Sequence, residues 1–397
     1  MKNKPKTMIP MSSPDLTDKE RQAVLDVLNT PMLSIGPKIN EFEAAFSAFS
    51  GRSEALGVNA GTSGLHLIVR AFDIGENDLV LTTPFSFVAS TNAILFEKGI
   101  PIFVDVDPKT GNIDPVLLKQ AAADLTAGGE AAKRWLPKKG AENPGPLKAI
   151  LAVDVFGQPA DMDAINQVAK QYNLKVIEDS CEALGAEYKG KKAGTLGDCG
   201  IFAFYPNKQI TTGEGAMIIT NDKKAADMMR ALRNQGRAPG DTWLSHTFMG
   251  YNYRLDEMSA AMGLVQLERL NEMMEKRDQV AAWYQERLKD LKELELLHIA
   301  PETSRHSWFV YVVRTAPHIN REQFAASLAD LGVPVRPYFV PIHLQPYMVN
   351  QFGYAPGDFP ITEDLGARGM ALPFSSVMTE SQVGQVTDAI RQVIADL

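Results

Sequence analysis

The chain has 397 residues, more than one hydrophobic core usually holds, so two domains around a shared site are expected. Its composition, 45% hydrophobic and 22% charged with a net charge of -8, is that of an ordinary globular protein. That acidic balance argues against nucleic acid as the main partner, and no run of about 18 apolar residues is present to span a membrane.

The opening MKNKPKTMIP has basic residues but no apolar stretch behind them, which is not the pattern of a signal peptide. Two cysteines, Cys181 and Cys199, make neither a disulfide framework nor a metal-ligand spacing. Reduced thiols in a cytoplasmic protein without a metal are the expectation.

Strands are predicted at residues 79–82, 102–106, 149–153, 175–178, 200–204 and 216–220. Between the third and fourth, Met162, Ile165, Val168 and Ala169 repeat at helical spacing, and strand–helix–strand at this distance reads as a right-handed parallel crossover. The first half is therefore α/β with a mostly parallel sheet. Residues 126–147, rich in Gly, Pro and Lys, break the pattern and read as a surface loop. A long polar helix is predicted over residues 255–291, bridging into a smaller domain. That domain should hold a strand at 309–314, a helix at 321–331 and a last helix from about residue 380.

Four segments carry the chemistry. In GIFAFYPNKQITTGEGAMIITND (200–222), Lys208 follows a strand beside Gly213 and Gly215, which leave little bulk around it. Desolvation there would disfavour the ammonium and free an amine that attacks aldehydes; a surface lysine would look the same. In VIEDSCEALGA (176–186), Asp179 ends a strand inside the sheet, where α/β proteins bind ligands. Two roles are open to it: a carboxylate that keeps a pyridine nitrogen protonated, or a helix N-cap. In GVNAGTSGLHL (57–67), a small-residue turn opens a helix and offers backbone N–H groups with the Thr62 and Ser63 hydroxyls to an anion. In TTPFSFVASTNAI (82–94), Phe85 or Phe87 could stack on a flat ring or join the core.

Taken in order with IPMSSPDLTDKE, LSIGP, FGQPADMDAI, RNQGR, GYNYRLDEMSAAMGLVQL and RPYFVPIHLQPY, these pieces resemble the DegT/DnrJ/EryC1/StrS family of sugar aminotransferases over nearly the whole chain. The resemblance implies a fold-type I enzyme with a mostly parallel seven-stranded sheet in a large domain (1–262) and a smaller α/β domain (263–397). It implies that Lys208 holds pyridoxal phosphate as a Schiff base and that Asp179 pairs with the pyridinium nitrogen. By the same likeness Thr62 and Ser63 bind the phosphate, Phe87 stacks on the ring, and Glu182 lies near the phenolic oxygen. Asn252 would reach the phosphate in the neighbouring subunit of a homodimer; Arg254 beside it could equally make a structural ion pair. His343 would sit near the substrate, and Arg237 and the 126–147 loop are candidates for a diphosphate. The implied reaction moves an amino group from glutamate to a nucleotide-linked keto sugar, with pyridoxamine phosphate between the two halves.

Three positions depart from the family pattern: Ala203 replaces a serine five residues before the lysine, Asp154 replaces a histidine, and Glu182 stands where glutamine is common. Lys208 itself disfavours the related sugar dehydratases, which carry histidine there. Cyclitol and aromatic-acid acceptors stay open. A nicotinamide dehydrogenase is disfavoured because the only G-x-x-G-x-x-G run, from Gly194 to Gly200, precedes a strand instead of following one. A non-catalytic sensor finds no support in any DNA-binding pattern.

Overall fold

The computed structural model describes residues 9–242 and 244–397, so the basic start MKNKPKTM lies outside the described residues. Seven strands form the central sheet: β1 (Glu54–Val58), β2 (Leu79–Thr82), β3 (Ile100–Phe103), β4 (Leu147–Val153), β5 (Lys175–Asp179), β6 (Cys199–Ala203) and β7 (Ala216–Thr220). They lie side by side in the order β1-β7-β6-β5-β4-β2-β3. Only β7 opposes the others, pairing antiparallel with both β6 and β1. The remaining contacts are parallel, so six carboxyl ends open on one edge of the sheet.

Both faces of this sheet are covered, which is why its strands read as unbroken apolar runs. Along β4 the side chains alternate: Ala149, Leu151 and Val153 enter one core with Leu65 and Ile68. Ile150 and Ala152 enter another core with Met162, Ile165 and Val168. The crossover helix Met162–Tyr172 begins where Asp161 accepts the Ala164 N–H, and it ends at Asn173 in the left-handed region (φ 55°). Asparagine tolerates that conformation better than most residues.

Four expectations need correction. The strand expected at 102–106 starts and ends earlier, as β3. The long helix expected over 255–291 is two helices, Glu257–Glu268 and Leu270–Leu288. They break at Arg269, whose buried guanidinium meets Asp15 at 2.8 Å and Glu20 at 2.6 Å. Those distant partners leave no local sequence signal. Strand β1 was not expected at all, because Gly57 and Val58 run directly into the small-residue turn. Finally, the 126–147 stretch includes a short helix, Gly129–Lys133, and three of its four cations are already paired: Lys133 with Glu130, Arg134 with Asp124 and Lys138 with Asp358.

The C-terminal part builds a four-stranded antiparallel sheet from β8 (Leu294–Leu296), β9 (Tyr311–Thr315), β10 (Arg336–Pro337) and β11 (Gly369–Leu372), in the order β8-β9-β11-β10. Tyr284, Tyr311, Val313, Phe324, Met370, Val386 and Ile390 fill a separate core beneath it. Helices Arg321–Asp330 and Glu380–Ala395 supply Phe324, Val386 and Ile390, close to where they were predicted. Among the described residues, no helix is long and apolar enough to cross a membrane.

Candidate active site

Neighbouring parallel strands β5 and β6 bring two predicted groups to the same edge. Asp179 is the last residue of β5 and only 5% exposed. Lys208 follows β6 after a short turn in which its N–H donates to the Tyr205 carbonyl at 2.8 Å. Its Nζ stands 3.7 Å from Glu182 Oε1 and 3.8 Å from the Phe309 ring centroid, a cation–π contact. Arg277 fixes the backbone here. Its guanidinium donates to the carbonyls of Lys208 (2.7 Å), Trp308 (3.0 Å) and Phe309 (3.3 Å), tying the lysine turn to the approach of β9.

The carboxylates around the lysine have distinct environments. Asp179 Oδ2 accepts the Ser90 hydroxyl at 2.8 Å, and Oδ1 accepts the Cys181 N–H at 3.2 Å. A carboxylate has about four acceptor positions, so room for a further donor remains. Burial pushes the Glu182 carboxyl up, while the Lys208 charge and the Phe156 N–H at 2.9 Å pull it back only in part. Asp154 is fully buried, and burial with nearby Glu178 pushes it well above the usual range. Its oxygens are taken by Ser180 Oγ (2.6 Å) and the Ala160 N–H (3.0 Å), so it ties the turn after β4 together.

The helix Gly61–Ala71 points its N-terminus at the same place. Its N-cap is Ala60, and no side chain caps the first turn, which leaves backbone N–H groups open beside half-buried Thr62 and Ser63. A Cβ at Gly61 would come within 3.2 Å of both Ala203 Cβ and Cys181 Sγ, so this glycine sits tightly between the ends of β5 and β6. Of the two aromatics after β2, Phe85 is buried and packs edge-on against Phe156 and Phe339. Phe87 is 64% exposed and available to a ligand. A cleft of about 530 Å³ opens alongside, lined by Ser12, Tyr205, Asn207, Phe309, Arg336 and Tyr338 among others.

Other predicted residues lie elsewhere. His343 is fully buried, its Nε2 is 2.9 Å from Glu363 Oε1, and its ring packs edge-on against Phe359. It therefore presents no imidazole to a substrate, and burial lowers its proton affinity despite Glu363. Arg237 lines a cavity of about 350 Å³ with Arg230, Arg254 and Ile35. Asn252 is exposed, and Arg254 donates to Asn234 Oδ1 at 3.0 Å and makes no ion pair among the described residues. Sequence reasoning missed Ser90 and Arg277. Ser90 falls one helical turn after Phe87 in a segment already singled out, whereas Arg277 is one charge among many in a polar helix.

Residues 14–391 match the family model of the DegT/DnrJ/EryC1/StrS aminotransferases. The chain belongs to this family. It is 38% identical to the GDP-perosamine synthase of Caulobacter vibrioides over 97% of this chain and 98% of that protein. To the GDP-perosamine synthase of Escherichia coli O157:H7 it is 34% identical, over 98% and 99% of the two chains. Among solved structures, Helicobacter pylori PseC, an aminotransferase involved in the biosynthesis of pseudoaminic acid, superposes with a TM-score of 0.88 at 27% identity. That match covers 98% of this chain and 100% of PseC. DesV of S. venezuelae gives a TM-score of 0.85 at 29% identity, covering 97% and 98%.

The protein is thus a pyridoxal-phosphate-dependent aminotransferase with the α/β architecture of fold-type I. Its own residues fit the cofactor. An uncapped helix terminus suits a dianionic phosphate, a buried strand-end carboxylate suits a protonated ring nitrogen, and a sequestered lysine suits the aldehyde carbon.

Proposed function

We propose that this aminotransferase transfers an amino group from glutamate to a keto-deoxy sugar carried on a nucleotide, for polysaccharide, glycan or natural-product sugar synthesis. The observation that carries the site assignment is the meeting of Lys208 and Glu182 at 3.7 Å beside Asp179, at the ends of adjacent parallel strands. The substrate class is supported by two GDP-perosamine synthases among the relatives.

Bound pyridoxal phosphate supplies the electron sink that makes the donor α-proton acidic. Lys208 Nζ would hold the cofactor at rest, and its free amine would take up the donor α-proton and give it back. Asp179, held by Ser90, keeps the ring nitrogen positively charged. The N–H groups at Gly61–Ser63 and the Thr62 and Ser63 hydroxyls would hold the phosphate, and Phe87 would stack on the ring. Glu182, its carboxyl raised by burial, would lie beside the phenolic oxygen of the bound cofactor. Asn252 completes the partner's phosphate site in a homodimer, and Arg237 faces a substrate diphosphate.

We read residues 1–262 as the cofactor-holding domain and 263–397 as the smaller one, a division supported by the separate core formed by residues between Val280 and Val393, to which the N-terminal segment adds Ile9. Both cysteines are free, as suits a cytoplasmic enzyme. The test is two half-reactions. Glutamate should convert the loaded enzyme to its pyridoxamine form with one equivalent of 2-oxoglutarate, and a nucleotide-linked keto sugar should reverse this. Reversal by keto-cyclitols but by no nucleotide sugar would overturn the substrate assignment.

A further inference from the structure

A buried polar cluster remains that the chemistry above does not use. His66, on the helix Gly61–Ala71, is 5% exposed, and its Nε2 lies 2.7 Å from Glu97 Oε1. Glu97 also receives Arg70 Nη1 at 2.8 Å and the Tyr251 hydroxyl at 3.0 Å. Burial alone would raise this carboxyl, but the bonds from His66, Arg70 and Tyr251 outweigh it and hold it below its usual range. The other imidazole nitrogen, Nδ1, lies 3.2 Å from the Tyr253 hydroxyl.

Tyr251 and Tyr253 are stacked on each other, with ring centroids 4.9 Å apart and planes within 9°. The segment between them is extended: Asn252 bridges Asn234, and the Tyr253 carbonyl accepts the Asn59 N–H at 3.0 Å. In an extended segment alternate side chains point to opposite sides. Two inward tyrosines therefore force the intervening Asn252 outward, where it is exposed. Exposed asparagines on extended loops sample several rotamers; one whose two neighbours are bolted to a half-buried carboxylate and a buried imidazole starts from a fixed backbone.

We propose that Tyr251 and Tyr253 are positioning residues, anchored on Glu97 and His66, that aim Asn252 at the cofactor phosphate in the partner subunit. The inference rests on the reading that Asn252 acts across the dimer.

The test uses hybrid dimers of the full chain in which one subunit carries Lys208→Ala, so that borohydride can fix the cofactor only on the other. The quantity read is the pyridoxal phosphate concentration that half-saturates this fixation. With Tyr251→Phe on the Lys208→Ala subunit, the remaining lysine faces a loosened Asn252, and half-saturation should rise about three- to ten-fold, the net worth of one ordinary hydrogen bond. With Tyr251→Phe on the lysine-bearing subunit instead, it should stay at the wild-type value. A residue important only for its own subunit's stability would give the reverse pattern, and that result, or no rise in either hybrid, overturns the proposal. Asn252→Ala on the Lys208→Ala subunit separates the two claims. If it leaves half-saturation unchanged, the cross-dimer reading fails; if it raises half-saturation while Tyr251→Phe does not, only the positioning role fails. Should Tyr251→Phe not fold, Tyr253→Phe breaks the His66 contact and is read in the same way.

Discussion

The Ser90 hydroxyl donates to Asp179 Oδ2 across 2.8 Å, joining the helix after β2 to the end of β5 inside the buried floor of the site. The bond holds the carboxylate in one rotamer. Ser90→Ala should loosen that hold and weaken cofactor binding about 10-fold or more, because hydrogen bonds to charged groups contribute about 1.5–3 kcal/mol. Equilibrium titration of the apoenzyme with pyridoxal phosphate measures this. An unchanged dissociation constant would mean that Asp179 needs no such support.

Ala203 lies beside the open helix terminus, with its Cβ 3.2 Å from the place a Gly61 Cβ would take. A hydroxyl at that point would face the uncapped N–H groups of the helix Gly61–Ala71. Ala203→Ser should therefore tighten cofactor binding about five-fold, the effect of one added hydrogen bond of about 1 kcal/mol. The same titration checks it, and weaker binding would show that the pocket has no room for the oxygen.

Glu182 gives a pH signature. Its folded carboxyl titrates above the ordinary 4.5, chiefly through burial, so the ionised form costs stability once the pH exceeds 4.5 and increasingly up to the raised value. Glu182→Gln removes that cost while keeping an acceptor for the Phe156 N–H. The apo variant should melt higher than wild type at pH 8, and the gain should shrink as the pH falls towards 4.5. Melting curves across this range decide it; a variant less stable at every pH would contradict the sign.

Arg277 is 2% exposed, and burial lowers its pKa to about 10, so it stays charged near neutrality while donating to three backbone carbonyls. Arg277→Ala would leave three carbonyls without their donor and free the Lys208 turn. A loss of about 3 kcal/mol is expected in urea unfolding of the apoenzyme, from about 1 kcal/mol or more per unsatisfied buried group. In turnover assays kcat should fall more than KM rises. A stable variant with normal kcat would show that the lysine turn holds itself.

How far the sequence alone could reach depends on where each signal is local. Strands β2 and β7 fall where the apolar runs place them, because a doubly covered sheet makes its strands near-continuous hydrophobic runs. Asp179 and Lys208 were legible as strand-end residues. The helix break at Arg269 was not, since its partners Asp15 and Glu20 lie some 250 positions away. His343 misled for a related reason: its short motif says nothing of Glu363 and Phe359, which enclose it.

The most direct test of the account is to load the wild-type protein with pyridoxal phosphate, reduce it with borohydride, and map the modified peptide. The modification should lie on Lys208 alone, and Lys208→Ala should take up none. A modification on another lysine, or a wild-type chain that binds no cofactor, would contradict the account.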